Sequence, residues 1–235
     1  MKTKIYSPCE ICERRECMLF KYCSAEWHEE LRENKSCMVY SAKQQIVHEG
    51  SRVYDILFIQ KGKAKVYKKT VEGKNQIVRL SNAGDLLAGE ALGEFSQCPV
   101  SVITLDESVI CSVPQQLYLK LLRSNPELSI HVMFRYADEL KKMETRLRNM
   151  ALMTVREKLA DTLLMISEAF GAAEDKSLNA SLSRKDIAEI AGTNVDQVSR
   201  YLTEFKNDGL IDTKGKAILL LKPEKLHKMI EDYAR

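Results

Sequence analysis

The chain has 235 residues, of which 45% are hydrophobic and 29% charged, and its formal net charge is +3. This length accommodates one large domain or two smaller ones that each bury a core, and the composition excludes a disordered chain. No stretch reaches the roughly 18 uncharged apolar residues of a membrane span, and residues 1–23 lack the apolar core of a secretory signal, so we expect a cytoplasmic protein without a membrane partner.

Seven cysteines are spread unevenly along the chain, with four of them in the first 23 residues. Because cytoplasmic thiols stay mostly reduced, clustered cysteines indicate metal binding or redox sensing rather than a disulfide framework. For Cys37 and Cys98, which stand apart from that cluster, a small buried hydrophobic residue is the default interpretation.

Residues 39–123 contain short apolar runs at 56–59, 64–67 and 77–80, with glycine turns between them. This regular spacing is typical of an antiparallel sandwich or barrel and not of a parallel α/β sheet. The sequence predicts a jelly-roll-like β-roll that acts as a sensor domain, preceded by a cysteine-rich segment at residues 1–38.

A long helix is predicted over residues 124–152, because its apolar residues recur every seven positions. These residues form a seam of a and d positions: Met133, Tyr136, Leu140, Met143, Leu147 and Met150. With charged residues between them, they match the pattern of a two-stranded coiled coil and predict a homodimer. The alternative is that this helix packs its stripe against its own domain.

Residues 153–235 are predicted to form a winged helix-turn-helix domain. After a helix from about Thr154 to Gly171, Ser183 and Asp186 suit a reciprocal helix cap, and Gly192 suits the turn before a second helix capped by Asn194. The residues expected to face inward from that second helix are Val195, Val198, Leu202 and Phe205. Residues 209–211 and 217–221 are predicted to form the two strands of a wing.

No segment is basic enough for its charge alone to indicate nucleic acid, so the DNA prediction depends on this motif. Arg200 has the planar fork that bridges O6 and N7 of guanine, and Asp196 can accept a hydrogen bond from a cytosine amine. The predicted DNA-contacting residues are Thr193, Asp196, Gln197, Ser199, Arg200, Lys214 and Lys216.

The stretches 182–188, 195–202, 209–211 and 214–216 together resemble the CRP/FNR superfamily of bacterial transcription regulators. The resemblance implies an α+β architecture of β-roll, dimerisation helix and winged helix-turn-helix, with double-stranded DNA and RNA polymerase as partners. In the oxygen-sensing branch a Glu, a Ser and an Arg read bases. They map onto Asp196, Ser199 and Arg200, where the shorter Asp alters the expected half-site preference.

The same branch holds a [4Fe-4S] cluster with three N-terminal cysteines and one distant cysteine. By resemblance these are Cys9, Cys12, Cys17 and Cys111, although four residues precede the third cysteine here instead of five. Cys23 is an alternate ligand, in a second set with Cys12, Cys17 and Cys111. Four thiolates also suit tetrahedral zinc, so the ligand type alone does not distinguish an iron-sulfur cluster from a zinc site. The resemblance implies a dimer that binds DNA while the cluster is intact and releases it after oxygen or nitric oxide attacks the cluster.

Cyclic-nucleotide-binding members of the superfamily use a Gly-Glu pair for the ribose and an Arg-Ser pair for the phosphate. Gly89 and Glu90 match the first pair, but Cys98 and Pro99 stand where the second belongs. Since a buried phosphate without a paired cation pays a large desolvation cost, no cAMP is expected, unless Arg52 or Arg79 compensates.

Other functions remain open at this point. An enzyme is not expected, because the four histidines are scattered and nucleophile-elbow, phosphate-loop and zinc-protease motifs are absent. A haem sensor using His48 or a methionine, a zinc or thiol-redox sensor and a small-ligand sensor are alternatives within the regulator class. An iron-sulfur redox protein that does not bind DNA is the alternative from another class.

Overall fold

The computed structural model describes residues 3–5, 17–70, 73–87, 89 and 97–233. The chain divides into two compact units, the first made of Met1–Lys69 and Ser81–Lys141 and the second of Thr70–Leu80 and Lys142–Arg235. In the described part of the chain, no helix has the length and apolar character needed to cross a bilayer. Cys9 and Cys12, two of the predicted cluster ligands, lie outside the described residues.

The N-terminal half is built from two antiparallel sheets. Its strands are β1 Thr3–Ile5, β2 Ser36–Tyr40, β3 Gln45–Val47, β4 Asp55–Lys61, β5 Lys63–Lys69, β6 Asn75–Asn82, β7 Leu86–Leu87, β8 Ser101–Thr104 and β9 Ser108–Pro114. One sheet has the order β1-β2-β9-β4-β7 and the other the order β3-β8-β5-β6. Ala64 and Val66 of β5 are buried while Lys65 between them is not, as in a sheet with one face on a core. The predicted antiparallel β domain is confirmed.

Gly62 makes the tight turn between β4 and β5. Its φ is 98°, in the left-handed region, and a Cβ built there would collide with the side chain and backbone of Ser108. Only glycine satisfies both the backbone angle and this close approach, which explains the turn predicted at this position.

The first unit also contains helices, of which α2 and α3 contact strand β9. They are α1 Met18–Tyr22, α2 Glu26–Asn34, α3 Gln115–Ser124 and the beginning of α4 Pro126–Leu152. Their apolar residues share one core cluster with the strands: Met18, Leu19, Cys23, Leu31, Ile56, Phe58, Leu86, Val113, Leu117, Tyr118, Leu121, Leu128 and Val132. Helices α1 and α2 were not predicted from the sequence, which indicated only a cysteine-rich segment there.

Helix α4 has 27 residues and ends just before a new helix, α5 Val155–Phe170. Thr154 caps α5 in a reciprocal box with Glu157, and Gly171 follows its last residue with a φ of 74°. The helix predicted from about Thr154 to Gly171 is therefore confirmed. The break at Met153 and Thr154 separates it from the predicted dimerisation helix.

The remaining elements of the second unit form the predicted winged helix-turn-helix. They are α6 Arg184–Ala191, α7 Val195–Asn207, β10 Ile211–Lys214, β11 Ala217–Leu220, α8 Pro223–Met229 and a final 3-10 turn at Glu231–Tyr233. Strands β10 and β11 pair antiparallel, with Ile211 opposite Leu220. A core of fully buried Leu159, Leu163, Phe205 and Leu226 joins α5, α7 and α8.

Candidate functional site

Helix α6 starts with the reciprocal cap predicted from the sequence. The Asp186 backbone N–H donates to Ser183 Oγ at 3.1 Å, and the Ser183 N–H donates to Asp186 Oδ2 at 2.8 Å. The helix ends at Gly192, whose φ of 65° and ψ of 41° are left-handed. These local interactions fix a short helix and a tight turn ahead of α7.

Helix α7 is the candidate recognition helix. Asn194 caps it, accepting a hydrogen bond from the Gln197 N–H at 2.9 Å, and Val198, Leu202 and Phe205 form its buried stripe. The prediction that Val195 faces inward is wrong, because its side chain is 42% exposed. As the first residue of the helix it precedes the turn that packs on the core.

The outward face of α7 carries the predicted base-reading residues. Asp196, Ser199 and Arg200 are exposed. The Ser199 hydroxyl donates to the Val195 carbonyl oxygen at 2.9 Å, and the Arg200 guanidinium lies 4.4 Å from the centre of the Tyr201 ring. These side chains form a polar, solvent-facing surface of the kind that a major groove accepts.

Thr193 and Gln197 are less exposed than Asp196, Ser199 and Arg200. Both are half-buried, and the Thr193 hydroxyl is hydrogen-bonded to the Gln197 side-chain oxygen. This contact joins the turn to the first turn of α7, so the pair lies at the edge of the candidate surface.

The wing places Lys214 and Lys216 on either side of Gly215, and both lysines are exposed. An ion pair that the sequence did not predict fixes the wing to α7: Lys206 Nζ lies 2.8 Å from Asp212 Oδ1. This lysine lowers the pKa of Asp212 by donating a hydrogen bond to it. Opposite charges six residues apart, at the end of a helix and the start of a strand, were the only sequence signal.

Arg146, near the end of α4, is a second anchor that sequence reasoning missed. Its guanidinium donates to the carbonyl oxygens of Ile77, Val78 and Ile190 at 2.5, 2.8 and 3.0 Å. Burial lowers its pKa, while the nearby Asp161 charge opposes that effect.

Gln76 adds a hydrogen bond from Nε2 to the Glu189 carbonyl oxygen at 2.7 Å. Within the second unit, the segment Thr70–Leu80 is thereby attached to the end of α6.

The predicted seam lies along α4 as a row of exposed apolar side chains. Met133, Tyr136, Leu140, Met143 and Leu147 are between 39% and 72% exposed. Met150 is less exposed than these five residues. It is half-buried and its Cε lies near the Gly192 turn, so it takes part in packing within the second unit. The apolar Ile130 and Phe134 are also exposed on this helix and were not part of the prediction.

Three of the candidate cysteine ligands lie on the core cluster of the first unit. Cys23 is buried in it, and Cys17 and Cys111 pack against it from half-buried positions. Among the described residues, no three His, Cys, Asp or Glu side chains are grouped closely enough to hold a metal ion. The predicted set of Cys9, Cys12, Cys17 and Cys111 therefore stays a prediction, as does the alternate Cys23.

Cys111 has a close neighbour that the sequence did not indicate. Cys37 in β2 lies directly opposite Cys111 in β9, and the two Sγ atoms are 2.6 Å apart. The contact with Cys111 lowers the pKa of the Cys37 thiol to about 7, burial opposes the shift, and Lys35 reinforces it. Cys37 is buried as expected, but only the strand register could reveal its partner.

The buried hydroxyl of Tyr118 lies near Cys17 and Cys23. In the described part of the chain it has no hydrogen-bond partner. Burial raises the pKa of Tyr118, and the charges of Tyr136, Cys23 and Cys17 raise it further against the effect of Arg135. An unsatisfied buried hydroxyl close to thiols fits a site that gains an acceptor when a sulfur-rich group binds, because such groups normally find partners.

Two family models match the chain in the order that these elements suggest. The cyclic nucleotide-binding domain model matches residues 37–125, and the Crp-like helix-turn-helix domain model matches residues 157–229. The chain belongs to the CRP/FNR superfamily of transcription regulators. Its helix-turn-helix is accordingly a DNA-binding domain.

Individual CRP/FNR relatives cover most of the chain. The cAMP-activated global transcriptional regulator CRP of Salmonella typhimurium is 27% identical over 185 residues, which are 77% of this chain and 87% of that protein. The fumarate and nitrate reduction regulatory protein of Vibrio cholerae is 26% identical over 188 residues, or 79% of this chain and 75% of that protein. FixK2 of Bradyrhizobium japonicum has the same fold, with a TM-score of 0.74 at 20% identity over 83% of this chain and 96% of its own.

The position expected to bind a cyclic-nucleotide phosphate contains a buried cysteine. Cys98, which stands where the phosphate-binding Arg was expected, is 1% exposed, and its thiol donates to the Val100 carbonyl oxygen at 3.1 Å. Gly89 lies against Leu86 and the Tyr136 hydroxyl. Glu90 is outside the described residues, so the ribose-binding pair stays a prediction.

Proposed function

We propose that this regulator is a homodimer that binds a palindromic DNA site and responds to a signal received by its N-terminal unit. The observation that carries the proposal is the contrast along its helices: α4 exposes an apolar row, and α7 exposes Asp196, Ser199 and Arg200. The first surface suits a second copy of the chain, and the second suits a DNA groove.

The apolar row supports dimerisation through its spacing as well as its exposure. Leu140 and Leu147 are 58% and 72% exposed, one heptad apart, with Met143 between them at 60%. Exposed apolar patches of this regularity mark interaction surfaces, and a seven-residue period keeps the same face towards a parallel partner. Pairing α4 with α4 would present two copies of α7 to half-sites about one duplex turn apart.

Base reading is assigned to Asp196, Ser199 and Arg200, and phosphate contacts to Thr193, Lys214 and Lys216, with Gln197 beside them. Arg200 would form a bidentate contact with a guanine and contribute roughly 1–3 kcal/mol of discrimination. Lysines on a wing bind the backbone through charge and carry no sequence information. RNA polymerase is the proposed protein partner, by analogy with the superfamily.

For the sensor, we propose a [4Fe-4S] cluster held by Cys9, Cys12, Cys17 and Cys111, with Cys23 as the alternate ligand. Thiolates are the donors that such a cluster requires, and Cys17, Cys23 and Cys111 all lie on the core cluster that includes Leu128 and Val132 of α4. When bound, the cluster would supply chemistry that is sensitive to oxygen and nitric oxide. Cys111 would then connect the N-terminal segment to the sheet beside the start of α4.

Tyr118 supports this placement because its buried hydroxyl is available to donate to a ligand sulfur. The usual cAMP site is not proposed, since the buried Cys98 cannot neutralise a phosphate. Haem, zinc or a small ligand would give the same DNA-binding regulator a different signal.

The sensor proposal is tested by purifying the full chain without oxygen and measuring its absorption spectrum, iron and acid-labile sulfide. We expect broad iron-sulfur absorption in the wild type and in Cys98→Ala, and its loss in Cys111→Ala. Cys98 is the matched control, being a buried cysteine of the same sheet domain outside the ligand set. A sharp Soret band, or stoichiometric zinc without iron, would contradict the cluster.

The DNA proposal is tested with a palindromic duplex selected from a random library, using fluorescence anisotropy at fixed salt. We expect tight binding of the full palindrome by the oxygen-free protein and much weaker binding of one half-site, because two linked contacts reinforce each other. Equal affinity for the palindrome, the half-site and a scrambled duplex would overturn it.

A further inference from the structure

Cys37 and Cys111 occupy directly opposed positions of two neighbouring antiparallel strands. The register of β2 on β9 also pairs Met38 with Ile110 and Val39 with Val109, so the two cysteines are fixed opposite each other by a continuous ladder. Opposed residues of such a pair have Cα atoms about 4.5–5.5 Å apart, which lies within the range of about 4.4–6.8 Å that a disulfide spans.

The sulfur atoms of the two side chains also lie close together. The two Sγ atoms are 2.6 Å apart, which is longer than a disulfide bond of about 2.05 Å but too short for two sulfurs in ordinary van der Waals contact. Because β9 lies between β2 and β4, hydrogen bonds on both sides hold its backbone in place. The two sulfur atoms therefore lie within about 0.6 Å of bonding distance.

The pair is also accessible from one side. Cys37 is 2% exposed, whereas Cys111 is half-buried and its Sγ lies 3.5 Å from the Gln60 side-chain oxygen. A small oxidant therefore reaches Cys111 first, and the thiol of Cys37 is already in position to resolve the product. An accessible cysteine next to a resolving cysteine is the arrangement that converts an oxidised cysteine into a disulfide.

We propose that Cys37 and Cys111 form a reversible intramolecular disulfide, with a peroxide as the oxidant. The Cys111 thiolate attacks one peroxide oxygen, the O–O bond breaks, and the departing hydroxide takes up the proton that Cys111 has lost, which leaves a sulfenic acid and one water. The Cys37 thiolate then attacks the Cys111 sulfur, the S–O bond breaks, and the departing hydroxide takes up the proton from Cys37 as a second water. Two thiols and one hydrogen peroxide thus give one disulfide and two waters, and a dithiol reductant reverses the change.

One consequence rests on the proposed function, because it requires Cys111 to be a cluster ligand. A Cys111 sulfur bonded to Cys37 is no longer a thiolate and cannot ligate iron. The disulfide form of the chain therefore cannot take up the cluster, and reduction of the disulfide must precede loading.

The disulfide is tested on the full-length, metal-free chain, which is reduced, desalted, treated with stoichiometric hydrogen peroxide and alkylated. Digestion with trypsin and an aspartate-specific protease separates Cys111 from Cys98, since Asp106 lies between them. Mass spectrometry should find the Cys37 and Cys111 peptides cross-linked, in the wild type and in Cys98→Ser, and the cross-link should disappear after dithiothreitol and in Cys37→Ser. A Cys111 that stays alkylatable, or that pairs with a different cysteine, would overturn the proposal.

Iron and sulfide uptake by the same samples separates this inference from the sensor proposal. We expect the oxidised wild type to lose uptake and dithiothreitol to restore it. If the cross-link forms but the reduced chain also takes up no iron, the cluster proposal fails and the disulfide stands. If the reduced chain takes up iron and no cross-link forms, the disulfide proposal fails and the cluster stands.

Discussion

Helices α4 and α7 both carry exposed side chains, but those side chains differ in chemistry. On α7 the apolar residues Val198, Leu202 and Phe205 are buried, and apart from Val195 at the first position the exposed residues of the helix are polar. On α4 the long middle section leaves Leu140 and Leu147 in solvent. A polar face is stable in water without a partner. Exposure of an apolar row to water is unfavourable, and a partner that covers the row removes that exposure. The two helices therefore present chemically different surfaces, and the proposal assigns the polar one to DNA and the apolar one to a second copy of the chain.

The largest expected effect tests the apolar face of α4. Leu140→Asp places a charge in each half of the proposed seam, so we expect the dimer dissociation constant to rise at least about 100-fold, or roughly 3 kcal/mol. Sedimentation velocity over a concentration series measures it, and palindrome binding should weaken in parallel. Thr145→Asp adds the same charge at a heptad position away from the seam and should leave the dimer intact. A dimeric Leu140→Asp protein would assign the apolar row to something other than self-association.

A second test concerns Arg146, near the end of α4. Arg146→Ala removes the guanidinium that donates to three backbone carbonyl groups, and we expect the free energy of unfolding to fall by about 2–3 kcal/mol. Arg146→Lys keeps the charge but not the fork, so its loss should be intermediate. Urea denaturation followed by circular dichroism gives these values. Lys141→Ala, which removes an exposed ion pair with Asp138, should cost less than about 1 kcal/mol.

The polar face of α7 is tested by comparing specific and non-specific binding. Arg200→Ala should weaken binding to the selected palindrome by about 1–3 kcal/mol per half-site, with little effect on a scrambled duplex. Lys216→Ala should weaken both duplexes alike and reduce the salt dependence by about one ion per contact. Equal losses on both duplexes for Arg200→Ala would remove its base-reading role.

The smallest expected effect concerns the cap that positions α7 through α6. Ser183→Ala removes the acceptor for the Asp186 N–H and should cost about 1 kcal/mol of unfolding free energy. Ser181→Ala, two residues earlier and outside the cap, is the control and should be close to neutral. A Ser183→Ala protein as stable as this control would show that tertiary packing alone fixes the helix start.

The C-terminal domain was predicted well because its signals act over a few residues. Ser183 and Asp186 are three apart, and Gly192 and Asn194 delimit a turn, so the sequence specified where α6 ends and α7 begins. Val195 was misplaced because a helical period describes side chains within a helix and its first residue has no preceding turn to pack beneath. The exposure of the seam agrees with its predicted position, while its pairing stays a prediction.

The N-terminal unit shows where sequence reasoning stops. Helices α1 and α2 depend on burying Met18, Leu19 and Leu31 against residues about 100 positions away, a contact that no local pattern encodes. The contact of Cys37 with Cys111 depends on strand register, since a slip of one residue would turn the two thiols to opposite faces. Arg146 likewise meets carbonyl groups some 70 residues distant. The N-terminal clustering and the resemblance to oxygen-sensing CRP/FNR regulators indicated which cysteines to consider, but only the fold gives their neighbours.

The stacking of Arg200 on Tyr201 affects how the chain would meet DNA. An arginine that moved freely in solvent would give up rotamer entropy when it contacted a base. Here the guanidinium already lies over the Tyr201 ring, 4.4 Å from its centre, so part of that ordering precedes the encounter. If Arg200 reads a base as proposed, its side chain is held close to its own helix before any duplex arrives, and this preorganisation lowers the cost of binding.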